Sequence, residues 1–220
     1  MNFRIEEDIA IFEFDDGKVN SIGHELIEQF FWVLDEAESK ASALLILGRD
    51  GLFSAGFDLK EIEKGRNKAN LLVNKGSQLF YRLFDFPKPL VAGCSGHAVA
   101  AGAFLLLSCD YRVGSSGNFK IGLNETAIGM APLPLFGSEL ASNRLSQRFL
   151  TRAIIQSEMF SPEDAVEVGF LDEVVGPKDL FDSVKAKALE LSSLPAVTYG
   201  KMKRHSRAAT LERIKKSFKA

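Results

Sequence analysis

Cysteine is scarce in this sequence, two in 220 residues, and both Cys94 and Cys109 lie inside apolar runs (LVAGCSG and LLLSCDY). A pair so placed reads as buried reduced thiols rather than a disulfide, which points to a reducing compartment. Histidine is scarce too, with three in the chain. No metal-ligand cluster, no Walker-type glycine loop, no Ser/His/Asp arrangement and no internal repeat is found, so metal, nucleotide and triad chemistry are not expected. An excess of one charge is also missing: 27 basic against 29 acidic residues leave a net charge of −2. Neither a nucleic acid nor an acidic membrane surface is therefore an expected partner, and any basic site has to be local. No apolar run approaches the ~20 residues that a membrane span needs. The start, MNFRIEEDIAIFEF, is acidic and strand-like and lacks the pattern of a signal peptide. These absences lead to the expectation of a soluble, cytoplasmic protein, and 46% hydrophobic residues can fill the core of one domain.

What is present is a regular alternation of strand and helix signals. Residues 3–6 and 9–14 alternate around an acidic turn and predict a β-hairpin. Residues 23–39 repeat Leu26, Ile27, Phe30, Phe31, Val33, Leu34 and Ala37 at helical spacing, with Trp32 on the flank and His24 as a surface or capping residue. Residues 43–47 (ALLIL) predict a strand covered on both faces. Residues 61–75 are charged and Asn-rich, which predicts a mobile surface segment, followed by a helix from Leu71 to the stop at Pro87. Residues 130–136 predict a Pro-broken apolar loop, with helices at 138–145 and 146–156. Ser161 and Pro162 open a further helix, 171–175 is a short strand and 178–194 a helix. The tail carries a basic run that includes Lys201, Lys203, Arg204, Arg207, Lys215 and Lys219, expected to form a solvated helix face.

The chemistry concentrates between residues 89 and 129. PLVAGCS (89–95) reads as a buried strand, GHAVAAG (96–102) as a close-packed turn, and AFLLLS (103–108) as a helix covered all round. The turn therefore delivers unpaired backbone N–H groups at a buried helix N-terminus, where they can polarise a carbonyl or hold an anion. After CDYR (109–112), expected as a strand, comes IGLNET (121–126), in which Glu125 is a carboxylate among apolar and small neighbours. It is a candidate general base beside a candidate oxyanion site. His97 reads as a packed turn residue.

The segments FSAGFDLKEI (53–62), CSGHAVAAGAFLLLSCDYR (94–112) and IGLNETAIGMAP (121–132) resemble the crotonase superfamily, whose members act on acyl-CoA thioesters. Within it the likeness is strongest to Δ3,Δ2-enoyl-CoA isomerases. The resemblance implies an α/β fold, a crotonase spiral of ββα turns with C-terminal oligomerisation helices. It suggests a core over 1–195 and a helical tail over 196–220 that packs on the core or on a neighbouring subunit of a homotrimer or dimer of trimers. The tail ends earlier than in most relatives, which suggests a shortened cover for the acyl end of the pocket.

By the same resemblance Phe57 and Ala101 supply the two oxyanion N–H groups, with Ala55, Gly56 and Gly102 small enough for close approach to the ligand. Lys18, Lys60 and Lys201 correspond to CoA-phosphate contacts, and Leu133 to the acyl pocket. Asp58 falls among the substrate contacts, although by itself it reads as a helix N-cap. Coenzyme A is part of the substrate, and no separate cofactor is expected. Where two-glutamate hydratases keep one acid this chain has Phe104, and the acid that remains is Glu125. One carboxylate suffices to isomerise a 3-enoyl-CoA to a 2-enoyl-CoA by a proton shuttle. Dienoyl-CoA isomerases carry a further acid that falls here at about Leu133. Two alternatives stand beside the isomerase: a hydratase using Glu61 or Glu63 as second acid, and a non-catalytic acyl-CoA-binding protein.

Overall fold

The computed structural model describes residues 1–130 and 132–219, so Ala131 of the 130–136 loop and Ala220 lie outside the described residues, as does the side chain of Lys219. The chain opens with the expected hairpin, β1 (Asn2–Glu6) and β2 (Ile9–Glu13), paired antiparallel. Glu7 (φ 48°) and Asp8 (φ 64°) make its turn. Left-handed residues at both central positions match the twist of the two strands.

From there one unit recurs: a strand in a large sheet, a strand in a small sheet, then a helix. It runs as β2, β3 (Ser21–Ile22) and α1 (His24–Lys40). Next come β4 (Ala43–Leu47), β5 (Gly51–Ser54), β6 (Gly56–Phe57), the short α2 (Leu59–Ile62) and α3 (Arg66–Phe84). The third unit is β7 (Leu90–Cys94), β8 (Gly96–Val99) and α4 (Ala101–Ser108). A fourth begins with β9 (Tyr111–Ser115) and β10 (Ile121–Gly122) and continues into α5 (Leu135–Arg144), α6 (Leu150–Ile154) and α7 (Pro162–Val168). Strand β11 (Glu173–Val175), helices α8 (Leu180–Ser192) and α9 (Ala196–Lys216) and a short 3-10 helix (Ser217–Lys219) complete the described chain. The large sheet has the order β1-β2-β4-β7-β9-β11, the small one β10-β8-β5, and β3 pairs with β6. This is the expected spiral of ββα turns.

Both faces of the large sheet are covered, and that explains the unbroken apolar strands. Phe12, Leu44, Ile46 and Ala92 face a core shared with α1, α3 and α4. Ile11, Leu45, Val91 and Val113 face a smaller core closed by Val184 and Ala188 of α8. Cys94 and Cys109 are buried free thiols that donate to Gly96 O and Leu105 O, each at 3.2 Å, and burial pushes both up to about 12. No helix among the described residues is long and apolar enough to cross a membrane.

Several expectations are corrected. Residues 96–99 form strand β8 rather than a turn, because small residues let two backbones approach: a Cβ on Gly96 would lie 1.9 Å from the carbonyl carbon of Gly51. Strand β9 starts at Tyr111, leaving Cys109 and Asp110 ahead of it. The segment from 66 to 75 is no irregular cover but the first half of α3, since burial of Leu72 and Gly76 on one face overrides its polar composition. Helix α5 starts earlier than expected and α6 is shorter.

The basic tail is not simply a solvated face. Lys203 and Arg207 are buried and bind Asp110 at 2.7 and 2.9 Å, while Asp110 also accepts the Leu90 N–H and the Tyr199 hydroxyl. Positions 199, 203 and 207 lie on one face of α9, so the helix docks against the core through this network.

Candidate functional site

Two strained segments meet at one corner. Gly56 has φ +97°, and a Cβ there would lie 3.0 Å from the Val99 carbonyl oxygen and 3.1 Å from the Ala101 nitrogen. Opposite it Ala100 is held at φ 52° and ψ −123°, a region L residues avoid. Its N–H donates to Gly122 O at 3.0 Å, and its carbonyl accepts from Ala103 and Phe104 at 2.9 and 3.2 Å. Helix α4 therefore starts immediately, and the N–H groups of Ala101 and Gly102 fall in its first turn, where no intrahelical acceptor exists. Gly102 must be glycine, since a Cβ would lie 2.3 Å from Ser54 O.

On the facing strand, Asp58 N–H donates to Ile22 O at 3.2 Å, and strand alternation turns the Phe57 N–H away from that ladder. Phe57, Gly56, Ala101 and Gly102 are thus brought together, with Ala55 exposed beside them. Peptide N–H groups converging on a recess can hold an oxygen that becomes negatively charged. A polar latch behind the corner escaped the sequence reading. Buried Asn20 donates to Phe14 O and Phe53 O at 3.0 and 3.2 Å, while Ser54 Oγ donates to Asn20 O at 2.7 Å and accepts the Gly56 N–H at 3.2 Å.

Glu125 follows β10, which pairs with β8, the strand that delivers Ala100; it does not line the cleft on the Lys18 and Lys60 side. The turn after β10 is closed by Ile128 N–H to Asn124 O at 3.2 Å and Met130 N–H to Glu125 O at 3.0 Å. Glu125 Oε2 is buried with no hydrogen-bond partner among the described residues. Burial pushes this carboxyl up from its ordinary value, opposed by a hydrogen bond from its own backbone N–H.

Phe104 is 1% exposed and packed among Phe80 and Phe136, so its position holds a ring and no water. Leu133 is half-buried against the same core.

A cleft of about 840 Å³ runs past Lys18, Ser21, Ala55, Phe57, Asp58, Lys60 and Glu61, so both candidate phosphate contacts open on one side of the corner. Asp58 caps α2, accepting the Lys60 N–H at 2.8 Å. Glu61 is committed elsewhere: its carboxylate takes the His24 backbone N–H at 3.1 Å and pairs with the His24 ring at the start of α1. Burial raises the Glu61 carboxyl, but the His24 hydrogen bonds outweigh that and hold it below the usual range. Glu63 is exposed. Lys201 is exposed on α9 and does not line this cleft. His97 Nδ1 accepts the Lys120 N–H at 3.0 Å, the expected packed residue.

Asp110 and Arg112, inside the motif, serve packing. Arg112 binds Asp172 with two 2.7 Å contacts, and Asp110 holds α9. The Tyr199, Lys203, Arg207 spacing was the signal that would have found the partners of Asp110.

The profile of the "Enoyl-CoA hydratase/isomerase" family matches residues 4–220. The chain is 30% identical over 218 residues to the mitochondrial enoyl-CoA delta isomerase 1 of Mus musculus, covering 96% of this chain and 75% of that one. It is 28% identical over 194 residues to a probable enoyl-CoA hydratase of Bacillus subtilis, covering 86% and 74%. A crystal structure of an enoyl-CoA hydratase/isomerase family protein from Pseudomonas syringae superposes with a TM-score of 0.96 at 38% identity, covering 99% of this chain and 94% of that one.

Proposed function

The chain belongs to the enoyl-CoA hydratase/isomerase family, and from that premise we propose that it shifts the double bond of a 3-enoyl-CoA to the 2-position, with Glu125 as its single base. The observation that carries this reading is the contrast at the corner: Glu125 Oε2 is buried without a partner, while Phe104 seals the place where a second acid would stand.

Glu125 takes the proton from C2, and the electron pair moves onto the thioester oxygen as the dienolate forms. The Phe57 and Ala101 N–H groups receive that oxygen, each donor contributing roughly 10²–10³ in rate. Glu125, now protonated, returns the proton at C4 as the enolate collapses, and the double bond ends between C2 and C3. Atoms and electrons balance without water, and a carboxyl lifted by burial is suited to both halves of the shuttle. Lys18 and Lys60 face the CoA phosphates along the cleft, and Ala55, Gly56 and Gly102 keep the backbone close to the thioester. Asp58 acts through its cap on α2, and Leu133 borders the acyl chain. Lys201 reaches a phosphate only across a subunit boundary, in a homotrimer or dimer of trimers. The commitment of Glu61 to His24 and the exposure of Glu63 argue against a second acid from that segment.

The test is product analysis with 3-enoyl-CoA and 2-enoyl-CoA of several chain lengths. The expected result is 2-enoyl-CoA from the first and no 3-hydroxyacyl-CoA from the second, with Glu125→Gln losing about 10²–10⁴-fold in turnover while still binding substrate. Hydration of 2-enoyl-CoA at a rate matching isomerisation, or an active Glu125→Gln, would overturn the proposal.

A further inference from the structure

We propose that an aromatic bridge, Phe57–Phe80–Phe104, sets the separation of the two oxyanion N–H donors, and that Gly76 and Gly137 are the sockets that seat it, with Gly76 the positioning residue. This rests on the reading of Phe57 and Ala101 as donors given above.

Each donor lies on a short segment whose backbone turns toward the corner while a phenyl ring runs into the core behind it. The ring of Phe57 belongs to the first donor residue itself. Phe104 stands one helical turn after Ala101 on α4. Phe80 on α3 touches both, with ring centroids 6.2 Å from Phe57 and 6.1 Å from Phe104, and both pairs are edge-to-face at 73°. Phe136 closes the group, stacked on Phe80 at 4.9 Å and edge-on to Phe104 at 5.5 Å. Edge-to-face contacts of this kind favour one relative placement of the rings.

Two glycines make the arrangement possible. A Cβ on Gly76 would lie 2.5 and 2.6 Å from Cζ and Cε1 of Phe57, and one on Gly137 would lie 2.7 Å from Cζ of Phe104. Gly76 sits in the interior of the 19-residue helix α3, where glycine is a poorer helix former than alanine, so local propensity does not account for it. Positions 76 and 80 share one face of that helix, so the socket for the ring and the ring that bridges to α4 are presented together. Phe80, Phe104 and Phe136 are each at most 1% exposed. The close-packed inner rings block the half-buried Phe57 ring on its core side, so a Cβ at position 76 pushes that ring outward, and the displaced ring draws the Gly56–Phe57 peptide with it. The donor on β6 and the donor on α4 are then held by one piece of packing, although they come from different turns of the spiral.

The experiment compares wild type, Gly76→Ala, Phe57→Ala and the double variant, with Glu125→Gln in parallel. One readout is kcat and KM with a 3-enoyl-CoA. The other is the absorption shift of a conjugated 2-enoyl-CoA chromophore, which moves to longer wavelength when N–H groups bind its carbonyl and needs no base. Gly76→Ala is expected to lower kcat about 10²-fold, as a donor misplacement on the order of 1 Å does, with KM changed little and the absorption shift reduced. Phe57→Ala, which keeps the N–H but loses the anchor, is expected to lose about 10-fold. The double variant should return to the Phe57→Ala level, because removing the ring removes the collision.

Wild-type kcat and shift in Gly76→Ala overturn the inference, as does a double variant no better than Gly76→Ala. If Gly76→Ala does not fold, wild-type kcat in Phe57→Ala overturns it alone. An active Glu125→Gln sinks the isomerase reading instead, and leaves the absorption shift to decide the positioning role.

Discussion

Asp110 and Glu125 are both carboxylates sunk into the same stretch of chain, and they are opposites. Asp110 accepts from the Leu90 N–H at 2.9 Å, the Tyr199 hydroxyl at 3.0 Å and Lys203 at 2.7 Å, and pairs with Arg207 at 2.9 Å. Burial alone would lift its carboxyl, but the charges of Lys203 and Arg207 outweigh that and hold it below the ordinary aspartate range. Glu125 has an oxygen with no partner, and burial prevails. Burial by itself therefore marks neither structure nor function. Whether the charge is satisfied separates an acid that holds a helix from one that is free to exchange a proton.

The largest effect that can test this contrast is on stability. Asp110→Ala leaves Lys203 and Arg207 buried without their counter-charge and is expected to cost about 3–5 kcal/mol, measured by urea unfolding. A loss under about 1 kcal/mol would mean that α9 docks by other contacts.

Acidification should separate the two acids next. Glu125 has a raised folded-state value, so it becomes protonated above its ordinary 4.5, and under the proposed one-base mechanism turnover should fall with a midpoint above that pH. Asp110 has a depressed value, so its contribution to stability is present above the ordinary 3.8 and is lost only as pH falls below it. A pH–rate profile beside a pH–unfolding profile should show activity lost first; coincident losses would erase the contrast.

A smaller effect has the opposite sign to the first. The stability tied to the raised Glu125 value is present at low pH and lost as pH rises through that value, so near neutrality the ionised group opposes folding. Glu125→Gln should be as stable as wild type or better, by under about 1 kcal/mol in the same urea assay. A clear loss would show that Glu125 is a packing acid like Asp110.

The smallest expected effects lie on the surface. Lys18→Ala and Lys60→Ala each remove an exposed charge worth about 0.2–1 kcal/mol, so KM for the CoA thioester should rise by up to about five-fold, less in high salt. Unchanged KM in both would move phosphate recognition to Lys201.

Much of the fold was legible because periodicity survives packing. ALLIL and the 26–37 stripe became β4 and α1, with Ser161 and Pro162 opening α7 as expected. The segment from 66 to 75 misled because its polar residues say nothing of Leu72 and Gly76, whose burial comes from partners far along the chain. Phe57, Ala101 and Glu125 were found as motif members. That Lys203 packs into the core was not legible, because a basic run gives no hint that one face will meet a buried aspartate.

The sequence by itself determined the alternation of strands and helices, the glutamate at 125 among apolar and small neighbours and the phenylalanine at position 104, since each is written in residue type and spacing. Only the tertiary structure decided which acid is neutralised, which cations are buried and how Gly76 and Gly137 seat the rings behind the corner. Those are properties of pairs distant in sequence, and whether a charge or a cavity is matched depends on what the fold brings opposite it.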